Sequence, residues 1–403
     1  MKISTTIFIA AGLFLSTSAL SQEKSLFKKG IVYENEDKTL KMKFGLRIQS
    51  LFSTNFRDYE VLDNPNLVDT YFGIRRGRLK FDGYAGSPKW EYKLELALGN
   101  RNLGSISEFT NMGARLVLDA VVKYHINDKY TVWVGQTKLP GNRERVVSSQ
   151  KLQFVDRNLA NSRYNLDRDQ GVQIRGKEML FGTHFNWAVA ASMGEGRNIT
   201  ANNFGGYEYT VHADWLPLGK FASKGDYSQS DLAREKKPKL AIGATYDRNN
   251  GAARVRSNQG NWIFDSTGTI NSGVDLDNYI VDYMFKYNGW SSTGEFFHRT
   301  ASQDPRVLDA DGSVLEAYYI GQGVNAQVGY LFKSNWEVAG RYSAVFPDSR
   351  SDERGDYAQY TLGVSKYIYG HTVKIQSDVS YTEYSDIKYS DPLMFRVQLE
   401  VGF

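Results

Sequence analysis

The sequence contains long segments in which apolar and polar residues alternate without a break. From position 40 to 49, Leu, Met, Phe, Leu and Ile alternate with Lys, Lys, Gly, Arg and Gln. The same period of two returns at 89–98, 207–215, 279–287 and 324–330. Side chains of a β-strand point alternately to opposite faces, whereas a helix would repeat every 3.6 residues. The pattern therefore predicts an all-β chain whose strands face two different media.

The length of these segments distinguishes a membrane barrel from a soluble β-sandwich, in which strands also alternate. The segments last roughly 10 to 12 residues, which is the length that a tilted strand needs to cross a bilayer. Aromatic residues stand at the ends of the apolar rows, where a bilayer meets water. They are Trp90, Tyr92, Tyr207, Trp215, Tyr287, Trp290, Tyr330 and Trp336. We therefore expect a transmembrane antiparallel β-barrel.

The connections between the strands alternate between tight turns and long polar loops. Tight turns are predicted at 85–88, 126–128, 177–181, 288–289, 332–335 and 369–370. Long loops are predicted at 53–70, 100–113, 139–169, 194–205, 247–276, 300–319, 346–356 and 383–392. This rhythm is typical of outer-membrane barrels and predicts about sixteen strands within 39–403. One connection on the short side, 217–237, is long and charged; it is either an extended periplasmic turn or the result of a miscounted strand.

The two ends of the chain carry export signals. Lys2, the apolar run 7–15 and the small residues before position 22 predict a signal peptide over 1–21. Residues 22–38 would then form a periplasmic segment ahead of the barrel. The last strand alternates up to Phe403, and it resembles the closing strand by which the barrel assembly machinery recognises its substrates. We expect a protein of the Gram-negative cell outer membrane, surrounded by outer-membrane lipid.

The composition and the motifs of the sequence give little support for a catalytic function. The chain has no Cys, and its five His residues do not show metal-site spacing. Its 49 Lys and Arg against 45 Asp and Glu are too balanced for general nucleic-acid binding. The sequence therefore predicts no catalytic, cofactor or metal site, and we expect no enzyme activity. Segment 247–276 is rich in Asn, Asp and Gly but lacks the EF-hand pattern for calcium, so an exposed loop is the simpler interpretation.

Several segments resemble the phosphate-selective porin O and P family. They are residues 75–81, 90–95, 133–141 and 171–176. The resemblance implies a sixteen-stranded outer-membrane channel that assembles as a homotrimer. It also implies selection of phosphate or polyphosphate by basic residues lining the pore. The family's selectivity residues would correspond to Arg47, Arg75, Arg76 and Lys138.

Strand parity extends this set of basic residues. If Leu79 faces lipid, Arg78 faces the lumen, and Arg75 reaches the lumen only through a bulge at Gly73 or Gly77. Acidic residues on the next strand, Glu91 and Glu95, would neutralise part of the charge. The complete set of anion-pathway candidates is Arg47, Arg75, Arg76, Arg78, Lys80, Lys93, Lys138, Arg143 and Arg145.

The long loop 139–169 is the predicted constriction. The resemblance to porins implies that it folds back into the barrel, pinned to the wall by Leu152 and Phe154; a mobile surface loop is the alternative. The sequence thus predicts a passive diffusion channel for small solutes that prefers phosphate or other anions. The alternatives are a channel for other solutes or without selectivity, a lipase-like outer-membrane enzyme and a secreted β-sandwich binding protein.

Overall fold

The computed structural model of the chain describes residues 30–56, 68–99, 103–104, 106–386 and 392–403. The predicted signal peptide, 1–21, and the first part of the predicted periplasmic segment lie outside these residues. Within the described parts of the chain, no helix is long and apolar enough to cross a membrane.

Strands account for most of the described residues. They are β1 (Ile31–Glu34), β2 (Leu40–Phe56), β3 (Val68–Ala85), β4 (Trp90–Ala97), β5 (Val117–His125), β6 (Thr131–Lys138), β7 (Arg168–Leu180), β8 (Thr183–Ser192), β9 (Glu208–Leu216), β10 (Lys239–Asn249), β11 (Leu276–Tyr287), β12 (Trp290–Ala301), β13 (Arg306–Leu308), β14 (Val314–Ala317), β15 (Gly321–Leu331), β16 (Trp336–Pro347), β17 (Tyr357–Tyr369), β18 (Val373–Tyr384) and β19 (Leu393–Gly402). Two short helices, α1 (Arg143–Val146) and α2 (Leu159–Tyr164), lie between β6 and β7. Short 3₁₀ turns occur at Glu108–Thr110, Ser149–Lys151 and Ala222–Tyr227.

Sixteen of the described strands form one closed antiparallel barrel. Each of β2 to β12 and β15 to β19 pairs with its neighbour, and β19 returns to pair with β2, as in Leu399 opposite Ser50. Of the remaining strands, β13 and β14 form a separate hairpin, and the short β1 joins the barrel sheet by pairing with the first part of β2. The predicted fold class and strand number are confirmed.

The two faces of the wall have the polarity expected of a membrane barrel. In β18, the inward residues Lys374 and Gln376 are at most 1% exposed, while the outward residues Ile375 and Val379 are 43% and 41% exposed. Apolar surface costs about 25 cal/mol per Å² when it meets water. Apolar rows on the outside and polar rows on the inside therefore place lipid around the wall and polar groups within it.

The barrel has a turn end and a loop end. Tight connections such as Asn288–Gly289 between β11 and β12 gather at the turn end, where Trp90, Trp290 and Trp336 are about half exposed. Strands β9 and β10, which flank the long connection 217–238, pair directly with each other, so no strand is missing there. The interpretation of this connection as an extended turn is correct.

Candidate functional site

The connection between β6 and β7, residues 139–167, reaches wall strands that are not neighbours of β6 or β7. We call it the inward loop. Its Arg143 Nε lies 2.7 Å from Asp282 Oδ1 on β11, and its Gln153 Nε2 lies 2.8 Å from Glu337 Oε1 on β16. The backbone N of Val155 donates to Asp378 Oδ2 on β18 at 3.0 Å. The loop therefore crosses the lumen.

Apolar and cation–π contacts hold the inward loop against the wall from β11 to β18. Leu152 and Phe154 are 1% exposed, and the Arg341 guanidinium lies 4.5 Å from the centre of the Phe154 ring. In α2, Tyr164 packs beside Phe297 of β12, with ring centres 6.5 Å apart. These contacts fill one side of the lumen with loop residues and leave the β3–β9 side open.

Arg143 connects the inward loop to two wall carboxylates. Its guanidinium forms ion pairs with Asp214 of β9 and Asp282 of β11, and all three side chains are at most 5% exposed. Since burying a charge is costly unless it is paired, the three groups stabilise one another. Arg143 thus anchors the loop and does not line the open cavity.

Arg143→Met should loosen this anchor and destabilise the barrel. The substitution leaves Asp214 and Asp282 buried without their partner, and removal of one member of a buried ion pair costs about 3 to 5 kcal/mol. The change can be measured as the denaturant midpoint at which the folded, fast-migrating gel band disappears. Arg350→Met is the control, because Arg350 is 48% exposed in its pair with Asp348 and an exposed pair contributes little. Equal midpoints for the two variants would contradict the anchoring role.

A cavity of about 830 Å³ lies between the inward loop and the wall from β3 to β9. Among the described residues, fifteen Lys and Arg line it against five Asp and Glu, an excess of ten positive charges. The basic residues are Arg75, Arg76, Arg78, Lys93, Lys123, Lys129, Lys138, Arg145, Arg157, Arg168, Arg175, Lys177, Arg197, Lys220 and Lys224. The acidic residues are Glu91, Glu95, Asp119, Asp167 and Asp226. The open part of the lumen is therefore strongly basic, although the whole chain carries a net charge of only +4.

The structure brings six of the nine anion-pathway candidates together in this lining. They are Arg75, Arg76, Arg78, Lys93, Lys138 and Arg145. The other three lie elsewhere. Arg47 is buried and donates to Ser149 Oγ at 2.9 Å, Lys80 pairs with Asp82 at 2.8 Å, and Arg143 is the loop anchor.

A β-bulge aims two adjacent arginines into the lumen. Gln49 of β2 lies opposite Arg76, while the next residue, Ser50, lies opposite Ile74, so Arg75 is the extra residue. The bulge required for Arg75 therefore exists, at Arg75 itself and not at either of the flanking glycines. It lets Arg75 and Arg76 both reach the Asp156 carboxylate of the inward loop, at 2.9 and 2.7 Å.

Asp156 is surrounded by three guanidinium groups. Besides Arg75 and Arg76, Arg396 of β19 lies 3.3 Å from Asp156 Oδ2. Burial alone would raise the pKa of this carboxyl, but the three positive charges outweigh it and hold the pKa well below its ordinary value. Asp156 therefore remains ionised throughout the neutral range and occupies a site built for an anion.

Acidic residues of the barrel wall neutralise only part of the positive charge that lines the cavity. Arg78 Nε lies 3.7 Å from Glu95 Oε1, which is a diagonal contact because the register places Glu95 opposite Lys80. Lys93 and Arg168 share the buried carboxylate of Asp119, at 2.7 and 3.0 Å. These acids fix the wall cations in place but are too few to cancel them.

Sequence reasoning missed several cavity cations. Lys123 of β5 and Arg175 of β7 lie over the ring of Trp133 of β6, at 4.3 and 4.2 Å from its centre. All three belong to alternating strands, so the parity argument used for β3 would have found them. Lys220 and Lys224 come from the connection 217–238 and have no such signal.

The described residues contain no group of three or more His, Asp or Glu placed to hold a metal ion. A sixteen-stranded barrel with an apolar exterior and a polar lumen is the architecture of an outer-membrane channel. The model of the phosphate-selective porin O and P family matches residues 45–403. The chain belongs to this family, and it is an outer-membrane protein of the Gram-negative type.

Solved porins share the fold at low sequence identity. OprB of Pseudomonas putida has a TM-score of 0.55 at 10% identity, over 95% of this chain and 96% of that chain. The anion-selective porin of Comamonas acidovorans has a TM-score of 0.54 at 10% identity, over 90% and 99%. The trimer form of OmpT from Vibrio cholerae has a TM-score of 0.51 at 11% identity, over 90% of this chain and 99% of that chain. No curated protein sequence matches the chain.

Proposed function

We propose that the protein is a passive diffusion channel that prefers phosphate and other small anions. The observation that carries this proposal is the excess of ten positive charges around the open cavity. Positive side chains in a narrow, low-dielectric passage attract anions and repel cations. The phosphate part of the proposal is supported by the family's name and by arginine, whose planar fork of donors matches phosphate oxygens.

The inward loop keeps a passing ion close enough to these positive charges for them to act on it. Salt at physiological strength screens a charge over about 8 Å, so a wide lumen would conduct both ions. In our proposal the inward loop, predicted as the constriction, closes the β11–β18 side and keeps the solute close to the wall cations. Many weak sites along one path let an anion exchange its hydration shell in steps without becoming trapped.

Assembly and orientation belong to the same proposal. We place the turn end in the periplasm and the loop end outside, which agrees with the connection lengths of bacterial barrels. The β19 strand ending near Phe403 supports delivery by the barrel assembly machinery, after export by the signal peptide. A homotrimer is supported by the family resemblance and by the trimeric form of OmpT.

Ion selectivity can be measured with purified protein in a planar lipid bilayer under a KCl gradient. We expect a reversal potential of the sign set by chloride, with chloride preferred over potassium by on the order of tenfold, which corresponds to about 1.4 kcal/mol. Added phosphate should reduce the chloride current, because phosphate stays longer at the arginines. A reversal potential near zero would support a non-selective channel, and the sign set by potassium would overturn the anion proposal.

A further inference from the structure

The long connection at the turn end, residues 217–238, enters the barrel. We call it the inner segment. Lys286 Nζ, in the inward row of β11, donates to the backbone O of Ser230 at 2.7 Å. Asp231 Oδ2 accepts from the backbone N of Gly289 at 2.8 Å, and Arg234 Nη1 donates to the backbone O of Leu331 at 2.8 Å. The inner segment therefore lies beneath the strands from β11 to β15.

Gln229 of the inner segment binds the inward loop directly. The backbone N of Gln229 donates to the backbone O of Lys151 at 3.0 Å. Its side-chain Oε1 accepts from the backbone N of Gln153 at 2.8 Å, and its Nε2 donates to Glu144 Oε1 at 3.2 Å. Gln229 is 2% exposed, so water does not compete for these hydrogen bonds.

An apolar cluster fixes the start of the inner segment. Phe221 packs with Leu216, Ala241 and Met284, and all four side chains are at most 6% exposed. Leu216, Ala241 and Met284 occupy inward positions of β9, β10 and β11, where a water-filled barrel would carry polar residues. An apolar patch on the inner wall is stable only when a chain segment covers it, which Phe221 does.

We propose that the inner segment is a second constriction of the channel. It meets the inward loop, closes the β10–β16 side of the lumen from the turn end, and directs solute along the β3–β9 side. The face that it turns to the open cavity carries Lys220 and Lys224, so it adds two cations to the lining of the passage that an anion follows. The narrowing of the lumen by the inner segment does not depend on the proposed function. The role of Lys220 and Lys224 in attracting anions rests on the proposed function.

Removal of the inner segment tests the narrowing. Residues 217–240 are replaced by Asn-Gly, a two-residue hairpin turn that preserves the register in which Trp215 faces Ile242. We expect single-channel conductance to rise at least about twofold, since conduction is limited by the narrowest passage. Unchanged conductance in a folded barrel, verified by its heat-modifiable gel mobility, would overturn the proposal. A wild-type channel without anion preference would defeat the proposed function yet leave this conductance test intact.

A disulfide tests the contact if the shortened barrel does not fold. The chain has no Cys, so Lys151→Cys with Gln229→Cys introduces one unique pair at the backbone hydrogen bond between the two segments. We expect oxidation to join the pair in the membrane and to leave conductance unchanged, because the segments already touch. Lys151→Cys with Lys333→Cys is the control, since Lys333 lies in an exposed turn between β15 and β16. Equal cross-linking of both pairs, or of neither, would overturn the proposal.

Discussion

Reversing the charges of Lys123, Arg175, Lys220 and Lys224 to Glu will abolish the anion preference. The described cavity lining has fifteen basic and five acidic residues, and the four substitutions leave eleven basic against nine acidic. The excess falls from ten to two, so little field remains to exclude cations. Among the described residues, none of the four side chains forms an ion pair with a buried carboxylate; Glu91, which is 3.6 Å from Lys123, is 41% exposed. The barrel should therefore fold normally.

The measurement is the reversal potential under a KCl gradient. In the variant, this potential should move from the sign set by chloride to near zero. The control reverses Lys38, Lys89, Lys236 and Lys333, which are exposed and lie outside the cavity lining. The control changes the net charge of the protein by the same amount, yet it should retain the wild-type reversal potential, because salt screens distant surface charges. An equal shift in both variants would attribute selectivity to overall charge and not to the cavity.

The barrel could be predicted from sequence because alternation reports directly on the two media. Assigning Leu79 to lipid placed Arg78 in the lumen, and the structure pairs Arg78 with Arg47 on the inward face. The period also gave the strand number, since each polar interruption marks a connection. The face on which a strand residue lies depends only on its position in the alternating pattern, so it can be assigned without knowledge of any contact.

The inward segments could not be placed in this way. Arg143 lies in the connection between β6 and β7, outside the alternating strands, and its partners Asp214 and Asp282 are far along the chain. Only the closed barrel brings these three residues together. A basic residue in such a loop therefore resembles a pathway residue in the sequence, although the structure makes it an anchor.

A signal for the docking positions does exist within the strands. Ile280, Phe297 and Val345 are inward residues that break the polar row, and each is at most 2% exposed beneath the inward loop. Met284 breaks the row in the same way beneath the inner segment. Apolar residues at inward positions thus mark where a segment covers the wall, but they do not reveal which segment does so.

Asp156→Asn will make the channel more sensitive to phosphate. Asp156 supplies the negative charge that Arg75 and Arg76 bind at 2.9 and 2.7 Å. Asparagine retains the shape but removes the charge, so both guanidinium groups, which line the cavity, become available to a passing anion. One charge-assisted hydrogen bond gained by phosphate contributes about 1.5 kcal/mol, which is close to a tenfold increase in affinity.

The readout is the phosphate concentration that halves the chloride current through the bilayer, which should fall about tenfold in Asp156→Asn. Asp348→Asn is the matched control, because Asp348 pairs with exposed Arg350 outside the cavity lining and should behave as wild type. Adding Arg76→Gln to Asp156→Asn should remove most of the gain, since phosphate then loses one of its two arginines. If loosening of the inward loop were the only effect, conductance would rise without stronger phosphate block, and Asp156 would be an anchor and not an occupant of the anion site.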